Sequence, residues 1–386
     1  MSKKKSQPPA SIPTAKGGAG TSTRLLSDLR ELILSTRAGV AHAVNAALVL
    51  LYWEVGHRIR TDILKSQRAG YGEHAVSTLS AQLALEFGQG FADKNLRRMI
   101  QLAEVFPVRE IVVTLSRQLG WSHFLAILPF KDALKRDFYA EMCRIERWSV
   151  RTLRDKIGGM LFERTALSRK PKELVRQEIA KLRDGDALSP DLVFRDPYFL
   201  DFLGLKNTYS EKDLEQAILR EMEQFILELG TGFSFVARQK RLVIDGEDFY
   251  LDLLFFHRKL RRLIAVELKL ERFKAADKGQ MELYLRWLEK NEMEPWEESP
   301  IGLILCADKG DEQIELLQLD QSGIRVASYL TELPPRPLLQ KKLHEAMARA
   351  RERIGGKEPE IFQTSSEELG RIDSAAPSKP KAKKGR

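Results

Sequence analysis

Residues 249–257 (FYLDLLFFH) and 262–270 (RLIAVELKL) are two apolar runs of strand length, and each carries a carboxylate in its interior. Runs of four to eight or more apolar, β-branched and aromatic residues read as buried strands. Period-two alternation places Glu267 and Lys269 on one face of the second strand and Leu268 on the other. If the strands form a hairpin across residues 258–261, His257 faces Arg262 and, counting outward, Asp252 falls opposite Glu267. Directly opposed residues have Cβ atoms about 4.5–5.5 Å apart. Two carboxylates at that separation repel, and their burial is unfavourable without compensation. A shared divalent cation removes the conflict. Mg²⁺, with Mn²⁺ as the alternative ion, takes oxygen ligands and keeps several waters, so Asp252 and Glu267 are the predicted metal-binding pair. Lys269, on the same face, is placed to orient or help deprotonate a metal-bound water and to stabilise charge developing on a phosphate.

The surrounding pattern supplies a fold for that pair. Strands are expected at 233–244, 247–257, 262–270, 300–306 and 324–329, with a helix beginning near Ser210 and another over about 274–290. Antiparallel hairpins followed by a helical crossover make an α/β domain with a mixed sheet. On the helix over residues 210–229, Leu214, Ile218, Met222, Phe225, Ile226 and Leu229 form one stripe at 100° per residue. Glu215 falls inside the stripe, so it needs a partner, either the cation or a structural salt bridge. Glu221 sits at the stripe's edge, and Glu223 lies outside it. On the next helix, Gln280 and Tyr284 share a face one turn apart. With Lys274 they are candidates to hold a substrate backbone, although a Tyr packed against the sheet accounts for the same spacing.

The N-terminal half is of another kind. From Arg24 to about Ile157, apolar residues recur at three- and four-residue spacing, which predicts a run of amphipathic helices. Residues 75–88, the turn GQGFA, and 93–106 read as helix, turn, helix, with Asp93 as N-cap. The exposed start of the second helix carries Lys94, Asn95, Arg97 and Arg98, which suit phosphates and base edges in a major groove or, equally, a solvated basic face. Trp121, Tyr139 and Trp148 read as core. The net charge of +9 is unevenly spread. It is about +4 over residues 1–23, about +8 over 24–178, about −5 over 179–354 and about +2 beyond. The basic helical half is therefore the one expected to meet a polyanion.

Residues 1–23 and 355–386 are Pro-, Gly-, Ser- and Lys-rich and are expected to be disordered basic tails. The predicted plan is a helical domain over 24–167, a linker over 168–198 and the sheet domain over 199–354. The most apolar stretch, residues 45–53 (NAALVLLYW), is too short to span a bilayer, and the Lys-rich start has no apolar core or cleavage site of a secretory signal. No membrane association and a cytoplasmic location are expected. Cys143 and Cys306 lack the spacing of a disulfide framework or zinc cluster.

Glu215, Asp252 and Glu267-x-Lys269 resemble the helical Glu, strand Asp and Glu-x-Lys pattern of the PD-(D/E)XK nuclease superfamily, and Gln280-x-x-x-Tyr284 is similar to an element of its RecB-like branch. ELGTGFSFVARQ, FYLDLLFFH, AVELKLERF, GQMELYL and IGLILC, with LYWEVGHRI, GYGEHAVSTLS, LGWSHF and FYAEMCRIERWSVRTLRDKI in the other half, resemble the bacterial YhcG-like family over nearly the whole chain between the tails. That resemblance implies a restriction-endonuclease-like sheet flanked by helices, a winged helix-turn-helix-like N-terminal domain, and Mg²⁺-dependent phosphodiester hydrolysis. The acidic residues would hold the metal and Lys269 would assist hydrolysis, with nucleic acid, DNA first, as partner. Two-fold dimers are common in the superfamily, so a homodimer is one implied state. The rival reading is an inactive DNA-binding or scaffolding subunit of a repair or defence complex. It is disfavoured because such a subunit has no chemical need to keep Asp252, Glu267 and Lys269 together.

Overall fold

The computed structural model describes residues 18–64, 69–205 and 208–355. The chain divides into two compact units, 1–162 with 179–187, and 163–178 with 188–386. Of the expected tails, residues 1–17 and 356–386 lie outside the described residues, whereas 18–23 open the first helix.

The first unit is helical: α1 (Gly18–Ile59), α2 (Ala69–Phe87), α3 (Asp93–Val105), α4 (Arg109–Ser116), α5 (Trp121–Ile127), α6 (Ala133–Glu146) and α7 (Val150–Gly158), followed by the short α8 (Leu161–Arg164) that crosses into the second unit. The stripe Leu96, Met99, Leu102, Ala103 of α3 is fully buried, and Val49, Trp53 and Ile59 of α1 are buried with it. Gly56 sets how closely the two helices approach: a Cβ there would stand 1.9 Å from the Met99 carbonyl oxygen. Trp53 Nε1 donates to the Phe106 carbonyl at 2.7 Å, satisfying the one polar atom of a buried indole. Helix, turn, helix is present as α2–α3, but Asp93 is the first helical residue and Ala92 the N-cap. No strand forms among the described residues of this unit, so the expected wing has no counterpart there. Tyr139 and Trp148 are core, and Trp121 packs edge-on against Tyr52 with ring centroids 4.9 Å apart.

Among the described residues, one helical stretch, Leu26–Asp62, is by length and composition long and apolar enough to cross a membrane. N-terminal to residues 45–53 the helix continues through Val40 and Val44, both exposed, and no charged residue falls between Arg37 and Glu54.

The expected linker over 168–198 is folded. It contains α9 (Lys172–Gly185), α10 (Pro190–Val193) and the first residue of β1 (Tyr198–Phe199). Asp191, Arg195 and Asp196 are buried there in ion pairs. Asp196 pairs with Arg169 and Lys309 and accepts from the Ser328 N–H at 3.0 Å. Burial opposes ionisation of its carboxyl, but Lys309 and Arg169 outweigh that and hold it at about 2.

The second unit continues with α11 (Glu211–Arg220), α12 (Met222–Leu229), β2 (Phe233–Ile244), β3 (Glu247–His257), β4 (Arg262–Arg272), α13 (Ala275–Asn291), β5 (Ile301–Asp308), α14 (Asp311–Leu316), β6 (Ile324–Leu330) and α15 (Arg336–Gly355). The six-stranded sheet has the order β1-β6-β5-β4-β3-β2. β2, β3 and β4 form an antiparallel meander, and β4, β5, β6 and β1 run parallel. The mixed α/β architecture is as expected. β1, α14 and α15 were not anticipated, and the single helix expected over 210–229 breaks at Glu221, whose φ and ψ of −105° and 33° are not helical. One face of the sheet packs on Leu214, Ile218, Phe225 and Leu229 of α11 and α12, the other on Met281, Tyr284, Leu285 and Leu288 of α13. Gly302 of β5 permits that second contact: a Cβ would lie 2.5 Å from Met281 Cγ.

Candidate active site

The β3–β4 ladder pairs His257 with Arg262 and proceeds residue by residue to Leu253 with Val266. The next step places Asp252 opposite Glu267, where the paired residues end. Side-chain oxygens there take over the bonds of the backbone. Leu268 N donates to Asp252 Oδ2 at 2.8 Å, and Asp252 N donates to Glu267 Oε1 at 3.4 Å. Each carboxylate thus satisfies an N–H of the other's strand, which would otherwise be left unpaired. β4 meanwhile stays in register with β5, Glu267 opposite Ile304 and Lys269 opposite Cys306, so both site residues sit on a central strand.

The electrostatics follow from this burial. Glu267 is only 4% exposed. Desolvation first, and the Asp252 carboxylate second, push its carboxyl up to about 7 against the partial relief given by Lys269, whose Nζ lies 3.3 Å from Glu267 Oε2. Asp252 is raised as well, by burial. For Lys269, burial works to lower the ammonium, but Glu267, Glu211 and Asp252 outweigh it and its pKa rises. Lys269 is therefore held in its charged form.

Glu215 of α11 reaches the same place. Gln239 Nε2 of β2 donates to Glu215 Oε2 at 3.0 Å and to Asp252 Oδ1 at 3.1 Å, so one amide bridges the two carboxylates. Burial, then Asp252, raises the Glu215 carboxyl. The helical acid at the site is thus Glu215; Glu221 lies at the helix break and Glu223 in the first turn of α12. Glu211, one turn before Glu215, accepts from Leu270 N at 3.1 Å. Tyr284 is buried among α13's core residues, and its hydroxyl accepts from Gln280 Nε2 at 2.7 Å. Burial raises the Tyr284 phenol, with Glu267 contributing, which puts the Gln280–Tyr284 pair within the field of the acids. Lys274 is not brought in: it is exposed at the start of α13, paired with Glu271.

Among the described residues, no three His, Cys, Asp or Glu side chains are arranged to hold a metal together. The site fits an ion that keeps its waters better than one needing a full protein cage. Mg²⁺ is commonly held by one or two carboxylates with waters and substrate oxygens completing its octahedron. Asp252, half-buried, and Glu267, buried, lie side by side with raised pKa values and are such a set, and Glu215 stands beside Asp252.

Comparison with known proteins places the chain in a family. A family model described as the YhcG PDDEXK nuclease domain matches residues 191–344, and one described as the DUF1016 N-terminal domain matches residues 28–164. The Escherichia coli (strain K12) protein named "Putative nuclease YhcG" is 35% identical over 348 residues, covering 82% of this chain and 92% of that protein. The chain belongs to the YhcG family. The PD-(D/E)XK nuclease domain of this family member contains Glu215, Gln239, Asp252, Glu267 and Lys269 within its matched span. Among solved structures, a repair endonuclease from Pyrococcus abyssi matches 34% of this chain and 50% of its own at 20% identity, with a TM-score of 0.24. An EndoMS–dsDNA complex matches 34% and 49% at 17% identity, with a TM-score of 0.25. The chain spans about half the length of these solved structures.

In the N-terminal domain, Lys94, Asn95, Arg97 and Arg98 occupy the first turns of α3 as expected. Lys94 and Arg97 are exposed, and Arg97 pairs with Asp93 at 2.9 Å. Two residues of the site escaped the sequence reading. Glu211 was legible as the i−4 neighbour of Glu215 on one helix face. Gln239 gave no signal, since it lies among the charged residues of an otherwise ordinary strand.

Proposed function

We propose that this protein is a metal-dependent nuclease that hydrolyses phosphodiester bonds in DNA, with the N-terminal unit binding the DNA. The observation that carries the reading is the Asp252–Glu267 pair, a half-buried and a buried carboxylate side by side at the end of a ladder, with Lys269 on one and Glu215 beside the other. Repulsion and desolvation both oppose placing such a pair across β3 and β4, so the backbone bonds it makes do not by themselves account for it.

A bound Mg²⁺ or Mn²⁺ supplies Lewis acidity and a more acidic water. Asp252 and Glu267 would hold it, with Glu215 as the third acid. Lys269, whose Nζ lies 3.3 Å from Glu267 Oε2, is placed to orient the attacking water and to stabilise charge on the phosphate. Gln280 and Tyr284, hydrogen-bonded to each other near the acids, support a role in holding the substrate backbone. Lys274, exposed and paired with Glu271, lies outside this group, and a contact with DNA remains its proposed part. Binding by the N-terminal unit is supported by its net charge of about +6 over residues 24–162 and by the basic first turns of α3.

The test is cleavage of labelled linear, single-stranded and branched DNA by the full chain with Mg²⁺ or Mn²⁺, beside Asp252→Ala and Lys269→Ala. Both variants are expected to lose cleavage and retain DNA binding. Cleavage that persists in both variants, or no cleavage of any substrate by the parent, would leave a DNA-binding subunit as the reading.

A further inference from the structure

Gln239 occupies an unusual position in β2. The register pairs Arg238 with Leu253 and Lys240 with Leu251, so Gln239 lies opposite Asp252. Its φ is +44°, the left-handed region, inside a twelve-residue strand. A non-glycine residue adopts that conformation only at an energetic cost, and such residues persist where the surroundings over-determine them. The strand is also irregular just upstream, with a register shift between Phe235 and Ala237. Bulges and left-handed residues re-aim side chains. Here the re-aimed group is a neutral amide, although the flanking positions are Arg238 and Lys240.

The result is a single Nε2 at 3.0 Å from Glu215 Oε2 and 3.1 Å from Asp252 Oδ1, tying a helix to a strand across two carboxylates. A Lys or Arg in that place would neutralise both acids and compete with a metal. An amide donates two N–H groups without net charge, so it draws the carboxylates together while leaving their negative charge available. Second partners of this kind orient metal ligands and tune their affinity.

We infer that Gln239 is a positioning residue of the cation site, its strained backbone turning the amide inward so that Glu215 and Asp252 are gathered to serve one divalent ion. This rests on the metal-dependent reading given above. It requires that the amide, rather than the strand geometry alone, matters for metal affinity.

The test is Mn²⁺ binding to the full chain by isothermal titration calorimetry, for the parent, Asp252→Asn, Gln239→Leu and Gln239→Gly, with a melting curve for each. Leu and Gly both remove the amide, and both are expected to weaken Mn²⁺ binding by about 10- to 100-fold. Glycine tolerates positive φ whereas leucine does not, so the Gly variant should melt above the Leu variant while sharing its binding defect. That separation assigns the loss to the amide, and the Gly variant decides the matter if the Leu variant fails to fold. If Gln239→Gly binds Mn²⁺ within about twofold of the parent, well short of the effect expected of a positioning partner, while Asp252→Asn does not bind, the inference is overturned and the metal site stands. If the parent binds no Mn²⁺, the inference and the metal-dependent reading fail together.

Discussion

Replacing Glu267 by Gln is expected to stabilise the cation-free protein above neutral pH and to leave it nearly unchanged in mild acid. Glu267 is 4% exposed, and burial, then the Asp252 carboxylate, moves its titration from 4.5 to about 7. The folded carboxyl therefore binds its proton more tightly than the unfolded one. Between pH 4.5 and about 7 the folded state holds more protons, so its stability is greatest below that window and falls as pH rises through it. At about 1.36 kcal/mol for each pH unit, the loss by pH 8 is about 3 kcal/mol. Gln has nearly the same shape and no charge, but it gives up the ion pair with Lys269, which reduces the expected gain to about 2 kcal/mol. For a unit of this size that is a rise of about 4–8 °C in melting temperature. Differential scanning calorimetry of the full chain with a chelator, at pH 5 and pH 8, measures it. Saturating Mg²⁺ should reverse the order, because ligand binding stabilises only the parent's intact site. The reasoning is refuted if Glu267→Gln melts below the parent at pH 8 in chelator, or if the gap between them is the same at both pH values.

Other expectations follow from the packing and the charges. Gly302→Ala should destabilise the second unit by about 1–3 kcal/mol, seen as a lower denaturation midpoint, because the added Cβ meets Met281 at 2.5 Å. Asp196→Ala leaves Arg169 and Lys309 without their shared buried carboxylate and should cost about 3–5 kcal/mol, measured by urea denaturation at pH 7. Lys94→Ala combined with Arg98→Ala should weaken DNA binding to a similar degree across sequences and lower the log–log salt slope by about 2, read by fluorescence anisotropy; an unchanged slope would mean that the start of α3 is only a solvated face.

The strand pair at the centre of the site was legible because periodicity and loop length together fix register. Four residues between His257 and Arg262 leave one antiparallel alignment in which both apolar faces stay buried, and a one-residue slip would turn Leu253, Phe255 and Val266 to the wrong side. Glu215 was legible by phase, since α11 is regular up to Arg220 and a carboxylate inside its apolar stripe needs a partner. The same stripe holds across the break at Glu221, with Phe225 and Leu229 buried and Met222 and Ile226 packed against the same core; only the continuity of the helix was not legible. The stretch over residues 168–198 has a fold that was not legible in the sequence. Its charges resemble those of a solvated linker, and nothing local reveals that Asp191, Arg195 and Asp196 find buried partners, Asp196 with a residue more than a hundred positions away.

The sequence by itself determined the two-part plan, helical and basic first, mixed α/β second, and it determined that Asp252, Glu267 and Lys269 meet on one face. Those outcomes depend on local periods and short connections, which a single chain carries in its own order of residues. Only the tertiary structure decided that Gln239 bridges Glu215 to Asp252, that Lys274 turns to Glu271, and that the carboxylates replace backbone bonds at the end of the β3–β4 ladder. Each depends on a side chain's direction or on the meeting of separate elements. A single left-handed residue in β2 changes such a direction without altering the hydrophobic pattern from which the fold is read.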